Sequence, residues 1–248
     1  MYIRLDEGIY MVAAGKGGPG ISHEKDCNVY LVTEGEYGFL IDGGSGLDTP
    51  RILQNIRETN TDLATIFHMF VTHAHGDHGG GVVDFQKELP WLQVLASEGE
   101  KYLLEQGSEE ELGLVAAKRK GAYPQDYQYR HCKVDKVVKN EDQYCLGNMQ
   151  ITAIVVPGHS IESVCYLVEK NGRKYLFSGD SIYLNGTLSV INCYGSSMEG
   201  YRKYIGRLAG REVDALIPSH YRFTMSGGQK HIDLAIELTG YSSLPPMM

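Results

Sequence analysis

Short apolar runs rich in β-branched and aromatic residues alternate with stretches of helical periodicity along the whole chain. Ile9 to Ala13, Cys27 to Thr33 and Tyr37 to Asp42 read as strands, the last two joined through Glu34-Gly35-Glu36 as a hairpin. Between the first two lies Gly15-Lys16-Gly17-Gly18-Pro19-Gly20, where four glycines and a proline exclude regular structure and suggest a mobile flap. Asp48-Thr49-Pro50 opens a helix to about Glu58, with Asp48 or Thr49 as N-cap and Pro50 in the first turn. The run from Thr65 to Val71 is a buried strand, and a helical segment follows from Val82 to Lys87. Trp91 to Ala96 is a further strand, whose burial would account for the single Trp. Ser97 to Gln106, with Glu98 and Glu100 in its first turn, and Glu109 to Lys120 are helices.

Beyond Gly121 the pattern changes and then repeats. Tyr123, Tyr127, Tyr129, Arg130 and His131 surround Pro124 in a segment suited either to wall a pocket or to cover a core edge. Val134 to Val138, Met149 to Val156, Ser163 to Val168 and Tyr175 to Ser178 are four strand candidates, the last two joined at Asn171-Gly172. Glu199 to Ala209 and Lys230 to Leu238 are helices on either side of the strand Ala215 to Ile217. Strands followed by helices thus occur twice, on either side of about residue 145. One domain over residues 1–248, with two similar halves, a two-layered sheet core and helices outside, accommodates that order.

Composition narrows the function classes. The 248 residues are 42% apolar and 22% charged, ordinary for a chain with one sizeable core. A formal charge of −8 opposes a broad polyanion surface, and Lys118-Arg119-Lys120 is better suited to a solvated helix end than to a nucleic-acid footprint. The five cysteines are scattered without a C-x-x-C pair, which argues for a reducing compartment. Neither the opening residues nor any later stretch has the apolar length of a signal peptide or membrane span, so the expected location is cytoplasmic.

The chemistry concentrates at Val71-Thr72-His73-Ala74-His75-Gly76-Asp77-His78-Gly79-Gly80-Gly81, four potential metal ligands within six residues on a loop after a strand. His159, Asp180 and His220 each follow a strand candidate too, and loops at the same end of several strands converge in space. Five histidines and two aspartates suit zinc first, with iron or manganese as other candidates, and seven donors are too many for one ion. A natural division places His73, His75 and His159 on one ion and Asp77, His78 and His220 on the other, with Asp180 giving one oxygen to each. Two cations roughly 3.5 to 4 Å apart lower the pKa of a bridging water from 15.7 toward about 7, which makes hydrolysis the accessible chemistry. His23, His68, His131 and His231 lie outside the cluster and are expected to be structural.

Thr72-His73-Ala74-His75-Gly76-Asp77-His78-Gly79-Gly80 resembles the His-x-His-x-Asp-His signature of the metallo-β-lactamase-fold hydrolases. Pro157-Gly158-His159-Ser160, Ser178-Gly179-Asp180 and Pro218-Ser219-His220 resemble that superfamily's later metal motifs, and Leu40-Ile41-Asp42-Gly43-Gly44 its early strand. The resemblance implies an α+β fold, a four-layer αββα sandwich with a dinuclear site at one edge. It also implies that Asp77 both binds metal and orients the attacking water. Departures exclude several branches: the cluster is not the His-x-Glu-x-Asp form of flavodiiron oxidoreductases, and Asp180 stands where many antibiotic-destroying members have Cys. The chain has no room for the β-CASP insert or for the extra helical domain of glyoxalase II proper. A broad glyoxalase II-like and lactonase-like group of thioesterases, lactonases and esterases is left.

Tyr183, three residues beyond Asp180, is placed like the tyrosine of N-acyl-homoserine lactonases whose hydroxyl donates to the substrate carbonyl. Tyr221 is a weaker second candidate. The expectation is a hydrolase of a small acyl substrate (lactone, thioester or ester) in which a metal-bridging hydroxide attacks the carbonyl. A homodimer is admitted, and neither nucleic acid nor membrane is expected as a partner. Three rival functions stay open: hydrolysis of a phosphodiester or phosphonate ester on the same two metals, sulfur dioxygenase chemistry at one iron, and a binding module with vestigial metals.

Overall fold

The computed structural model describes residues 1–240 and 246–247. Its first sheet runs in the spatial order β1 (Ile3–Asp6), β2 (Ile9–Ala13), β3 (Val29–Glu34), β4 (Tyr37–Ile41), β5 (Ile66–Phe70), β6 (Gln93–Ala96) and β7 (Lys136–Val137). The pairs β1/β2, β2/β3 and β3/β4 are antiparallel; β4 to β7 are parallel. The second sheet has the order β12 (Ala215–Pro218), β11 (Arg173–Gly179), β10 (Val164–Lys170), β9 (Met149–Val155) and β8 (Gln143–Leu146), with only β11/β12 parallel.

The alternation of side chains across each strand sorts them into three cores. In β3, Tyr30 and Val32 face the second sheet, while Val29 and Leu31 face the helices; in β10, Tyr166 and Val168 face the first sheet, while Cys165 and Leu167 face outward. The inner core packs Phe39, Ile41, Phe70 and Leu95 against Ile151, Ala153, Phe177 and Ile217. The outer face of the first sheet is covered by α1 (Thr49–Glu58), α3 (Val82–Glu88) and α4 (Glu98–Gln106) through Ile52, Ile56, Phe85, Leu103 and Leu104. That of the second sheet is covered by α6 (Met198–Tyr204) and α7 (Gly228–Gly240) through Tyr201, Ile232 and Ala235. At about 1.5–3 kcal/mol for each fully buried large aliphatic or Phe side chain, these faces dominate the folding energy. The layers are therefore helix, sheet, sheet, helix, an α+β sandwich.

Several expectations are corrected by the structure. Trp91 is 45% exposed rather than buried; its indole N–H donates to the Ile66 carbonyl at 3.1 Å, and the strand starts only at Gln93. The helix expected over Glu109 to Lys120 is shortened to α5 (Leu114–Arg119), because Gly113 takes φ of 70° and cannot continue a right-handed helix. Val134 to Val138 keeps only two strand residues, and the helix from Glu199 passes into a 3-10 turn at Ile205–Leu208. The Gly15 to Gly20 loop is not loose: Gly15 and Lys16 N–H bond to the Asp26 and Glu24 carbonyls, and Tyr221 N–H bonds to the Gly17 carbonyl at 2.7 Å. The short edge strands β1 and β8 add to the expected set. Both hairpins form as expected, with Gly35 and Asn171-Gly172 at positive φ.

Candidate metal centre

Four strands deliver the candidate residues from their C-terminal ends. The His73–His78 loop follows β5, His159 follows β9, Asp180 follows β11 and His220 follows β12. Antiparallel neighbours on both sides of β10 point β9 and β11 the same way, and β12 runs parallel to β11, so these ends share one edge of the sandwich. Backbone bonds tie the two sheets together there: Val164 N–H to Thr72 O at 2.8 Å and Asn28 N–H to Ser219 O at 2.7 Å. The ligand-rich loop itself closes into a single helical turn, α2 (Gly76–Gly79), which turns Asp77 and His78 toward the other loops. Gly81 packs against the Gly43 carbonyl so closely that any Cβ would overlap it.

All seven predicted residues meet at this edge. The side-chain nitrogens of His73, His75 and His159 converge, with His159 Nε2 3.2 Å from His73 Nε2 and 3.0 Å from His75 Nδ1. Asp77, His78 and His220 form a second group, with Asp77 Oδ2 3.0 Å from His220 Nε2 and 3.6 Å from His78 Nε2. Asp180 stands between the groups: its Oδ2 is 3.5 Å from both His159 Nε2 and His220 Nε2, and its Oδ1 is 3.5 Å from His78 Nε2. His78 Nε2 and Asp180 Oδ1 are buried and make no hydrogen bond among the described residues.

The electrostatics separate the two groups. Burial, reinforced by neighbouring imidazoles, holds His73 well below the usual histidine range and His75 at about 3, and burial also lowers His159, so all three are neutral. In the second group burial is outweighed: Cys27 first and then the carboxylates of Asp77, Asp180 and Asp42 raise His78, Asp180 and Asp77 raise His220, and the imidazoles in turn hold Asp77 and Asp180 below the usual carboxylate range. Such a mixture of neutral nitrogens and paired carboxylates could hold metal ions.

An outer layer of contacts orients these rings. Asp42, at φ of 64° directly after β4, accepts from His78 Nδ1 at 2.8 Å, from Thr72 N–H at 2.7 Å and from the Thr72 hydroxyl, which turns His78 Nε2 into the site. His159 Nδ1 donates to the Ser189 carbonyl at 3.2 Å with the same effect on Nε2. Glu100 is fully buried: its Oε2 accepts Ala74 N–H at 2.8 Å, and its Oε1 accepts Glu162 N–H at 3.1 Å and the Ser160 hydroxyl. It thereby ties the loop of His73 and His75 to that of His159.

Above the centre lies a cavity of about 460 Å³ lined by His75, Asp77, His159, Asp180, Tyr183 and His220 on its polar side. Tyr183 is buried beside Asp180, its hydroxyl within no hydrogen-bond geometry among the described residues, and burial together with the Asp180 charge keeps its phenol well above the usual range. The Tyr123 hydroxyl donates to Asp77 Oδ1 at 3.2 Å, whereas Tyr127 bonds the Ser45 and Gly76 carbonyls and Tyr129 packs against Gly79, so the aromatic segment both walls the pocket and covers the core edge. Tyr221, also lining the cavity, is exposed and takes φ of 59°, a strained conformation for a bulky residue. The Gly15 to Gly20 loop does not line this cavity, but Gly17 lies beside the His220 ring and lines an adjoining one with Asp77 and His220.

The histidines outside the cluster make local contacts. His23 accepts from Lys25 N–H, His131 bonds the Leu104 carbonyl, His231 accepts from Asn185 N–H, and His68 stacks on Phe70. Glu100, Cys193 and Lys120 stand at the site without belonging to any motif of the sequence. Glu100 carries a detectable signal, since it shares a helical stripe with the buried Leu103 and Leu104. Cys193, whose Sγ is 3.3 Å from His75 Nε2, and Lys120, which lines the cavity, carry none.

Comparison with known proteins agrees with this geometry. The chain is 29% identical over 185 residues to the lactamase-like protein nscB of Aspergillus fumigatus, covering 74% of this chain and 45% of that protein. It is 24% identical over 206 residues to the lactamase-like protein vrtG of Penicillium aethiopicum, covering 82% of this chain and 54% of the relative. It thus spans about half the length of the curated relatives it matches. Among solved structures, the subclass B3 metallo-beta-lactamase BJP-1 of Bradyrhizobium japonicum superposes with a TM-score of 0.72 at 23% identity, covering 96% of this chain and 90% of that one. The metallo-beta-lactamase GOB-18 of Elizabethkingia meningoseptica superposes at 0.71 and 20% identity, covering 95% and 88%. At these identities the structural likeness establishes the fold. With the Metallo-beta-lactamase superfamily model matching residues 24–220, all seven candidate ligands included, the chain belongs to that superfamily.

Proposed function

We propose that the chain is a dinuclear-metal-dependent hydrolase cleaving a small acyl substrate, a lactone, thioester or ester, in the cavity over the seven-residue centre. The observation that carries this is the place of Asp180 between two converging donor groups, with His78 Nε2 and Asp180 Oδ1 buried 3.5 Å apart and neither making a hydrogen bond among the described residues. Each such orphan costs about 1–3 kcal/mol, a cost that a shared cation removes. The donor set fits: imidazole and carboxylate without thiolate suit zinc first, then iron or manganese. His73, His75 and His159 would hold one ion, Asp77, His78 and His220 the other, and Asp180 would give an oxygen to each. Two such cations supply Lewis acidity toward a carbonyl and lower the pKa of water from 15.7 to about 7.

The chain's own groups do the rest. Asp77, fixed by the Tyr123 hydroxyl on one oxygen and near His220 on the other, orients the attacking water. Tyr183, kept protonated, donates its hydroxyl to the substrate carbonyl as negative charge develops there. Free cysteines at all five positions support a reducing, cytoplasmic setting, and among the described residues no helix is long and apolar enough to cross a membrane.

Metal analysis of the purified protein should give about two ions per chain. A panel of nitrophenyl esters, lactones, thioesters and phosphodiesters should show the highest kcat/KM on an acyl compound. A stoichiometry below one that added zinc, iron or manganese does not raise, or a preference for the phosphodiester, would overturn the proposal.

A further inference from the structure

The cavity is unequal in its chemistry. Away from the candidate ligands, Leu112, Leu114, Ala116, Ala117 and Ala122, from α5 and its flanks, make an apolar wall, and Ile191 extends it. Lys120, at the C-terminal end of α5, is the one Lys or Arg lining this cavity among the described residues, Lys16 and Lys25 lining an adjoining one on the far side of Asp77 and His220. It is exposed and makes no ion pair among the described residues, whereas Lys118, two residues earlier, is held by Glu109 at 2.6 Å. A volume of about 460 Å³ is that of a small-molecule site, too small for a macromolecule to enter.

These features constrain what can bind. An apolar wall rewards hydrocarbon and leaves the hydroxyls of a polyol desolvated without partners. On the α5 wall, away from the candidate metal centre, a single lysine can meet one negative group at the distal end of a ligand. On a chain with formal charge −8, an unpaired lysine at the mouth of the cavity is a local reversal of the prevailing field. The alternative role, a cation placed favourably at a helix C-terminus, needs no cavity and predicts no substrate effect.

We infer that the substrate is an anionic amphiphile: an acyl compound whose apolar body lies along the 112–122 wall and whose distal carboxylate or similar monoanion meets Lys120. The acyl part of this rests on the hydrolase proposal; the anion and the apolar body rest on the cavity.

The test uses the metal-loaded protein and paired esters of equal length, one ending in a carboxylate and the other in its neutral methyl ester. Wild type should favour the anionic member in kcat/KM by about fivefold, the upper value for one exposed ion pair. Lys120→Ala should bring the ratio to about one, and Lys120→Glu should invert it. Lys118→Ala, which changes a neighbouring charge outside the cavity, should leave the ratio unchanged. Lengthening the neutral acyl chain should raise kcat/KM about fourfold per methylene until the wall is covered. A wild-type ratio of one, or a ratio that survives Lys120→Ala, overturns the inference. If no ester is hydrolysed, titration with an ω-sulfonated medium-chain amide and its ω-hydroxy counterpart reads the subsite without turnover. Tighter binding of the sulfonate that is lost in Lys120→Ala then upholds the subsite while the hydrolase proposal falls; equal binding overturns the subsite.

Discussion

Replacing Glu100 by Gln probes whether one buried carboxylate holds two ligand-bearing loops in register. Glu100 Oε2 accepts Ala74 N–H, between His73 and His75, and Oε1 accepts Glu162 N–H and the hydroxyl of Ser160, the neighbour of His159. Gln has one carbonyl oxygen. Facing Ala74, it sets its NH2 against Glu162 N–H; reversed, it sets the NH2 against Ala74 N–H. Either way one buried donor is orphaned, at about 1–3 kcal/mol. Burial raises the Glu100 pKa above its usual 4.5 and outweighs the hydrogen bonds that lower it, so the folded state binds the proton more tightly than the unfolded chain. The stability contributed by that proton is complete below the unfolded value and is lost as pH rises through the folded one. The gap between wild type and Glu100→Gln should therefore narrow with rising pH across that window. Denaturant unfolding at several pH values measures this. Competition with a chromophoric chelator should show the ion at His73, His75 and His159 bound about 10–100-fold more weakly, the usual cost of losing outer contacts, with the other ion little changed. Unaltered stability and metal affinity, or equal weakening of both ions, would refute the reasoning.

Tyr183→Phe should lower kcat about 100–1000-fold, the range for removing one oxyanion donor, with the metal content of the purified protein unchanged; loss of metal instead would assign Tyr183 a structural part. Asp42→Ala frees His78 Nδ1 and should weaken the ion at Asp77, His78 and His220 about 10–100-fold, the converse of Glu100→Gln, as read by the same chelator competition. Exhaustive chelation should lower Tm, since free metal at 100 times its Kd contributes about 2.7 kcal/mol to stability; an unchanged Tm would argue against tight metal binding. Asp84 is pushed up by partial burial but pulled below its usual 3.8 by Arg130, with Thr49 assisting, so the stability this pair contributes is present above that value and lost as pH falls through the folded pKa. The pair is partly exposed, so Asp84→Asn should flatten the acid limb of the stability profile by about 1 kcal/mol or less.

Local rules made much of this protein legible from its residues. The His73 to His78 cluster needs no tertiary information, because its ligands are within reach of one another along the chain, and the turns at Gly35 and Asn171-Gly172 require positive φ wherever they occur. His159, Asp180 and His220 were legible for a related reason: each follows an apolar strand run, and strand ends gather where a sandwich edge closes. What only the tertiary structure decided is which polar groups are buried together. Glu100 looks like a solvent-facing charge in a first helical turn until Ala74, Ser160 and Glu162 are packed around it. Asp42 acquires its contact with His78 from residues 36 positions away, and Cys193 lies against His75 from 118 away. Trp91 is exposed because its strand begins two residues later, and β1 and β8, short edge strands, have too few inward positions to register as alternation. The cost of burying a polar group depends on the partners brought to it, and the sandwich brings those partners from distant parts of the chain. The donor atoms are therefore readable in the local sequence, while their orientation, and the Lys120 and apolar wall that face the substrate, depend on the packing of the two sheets and the loops above them.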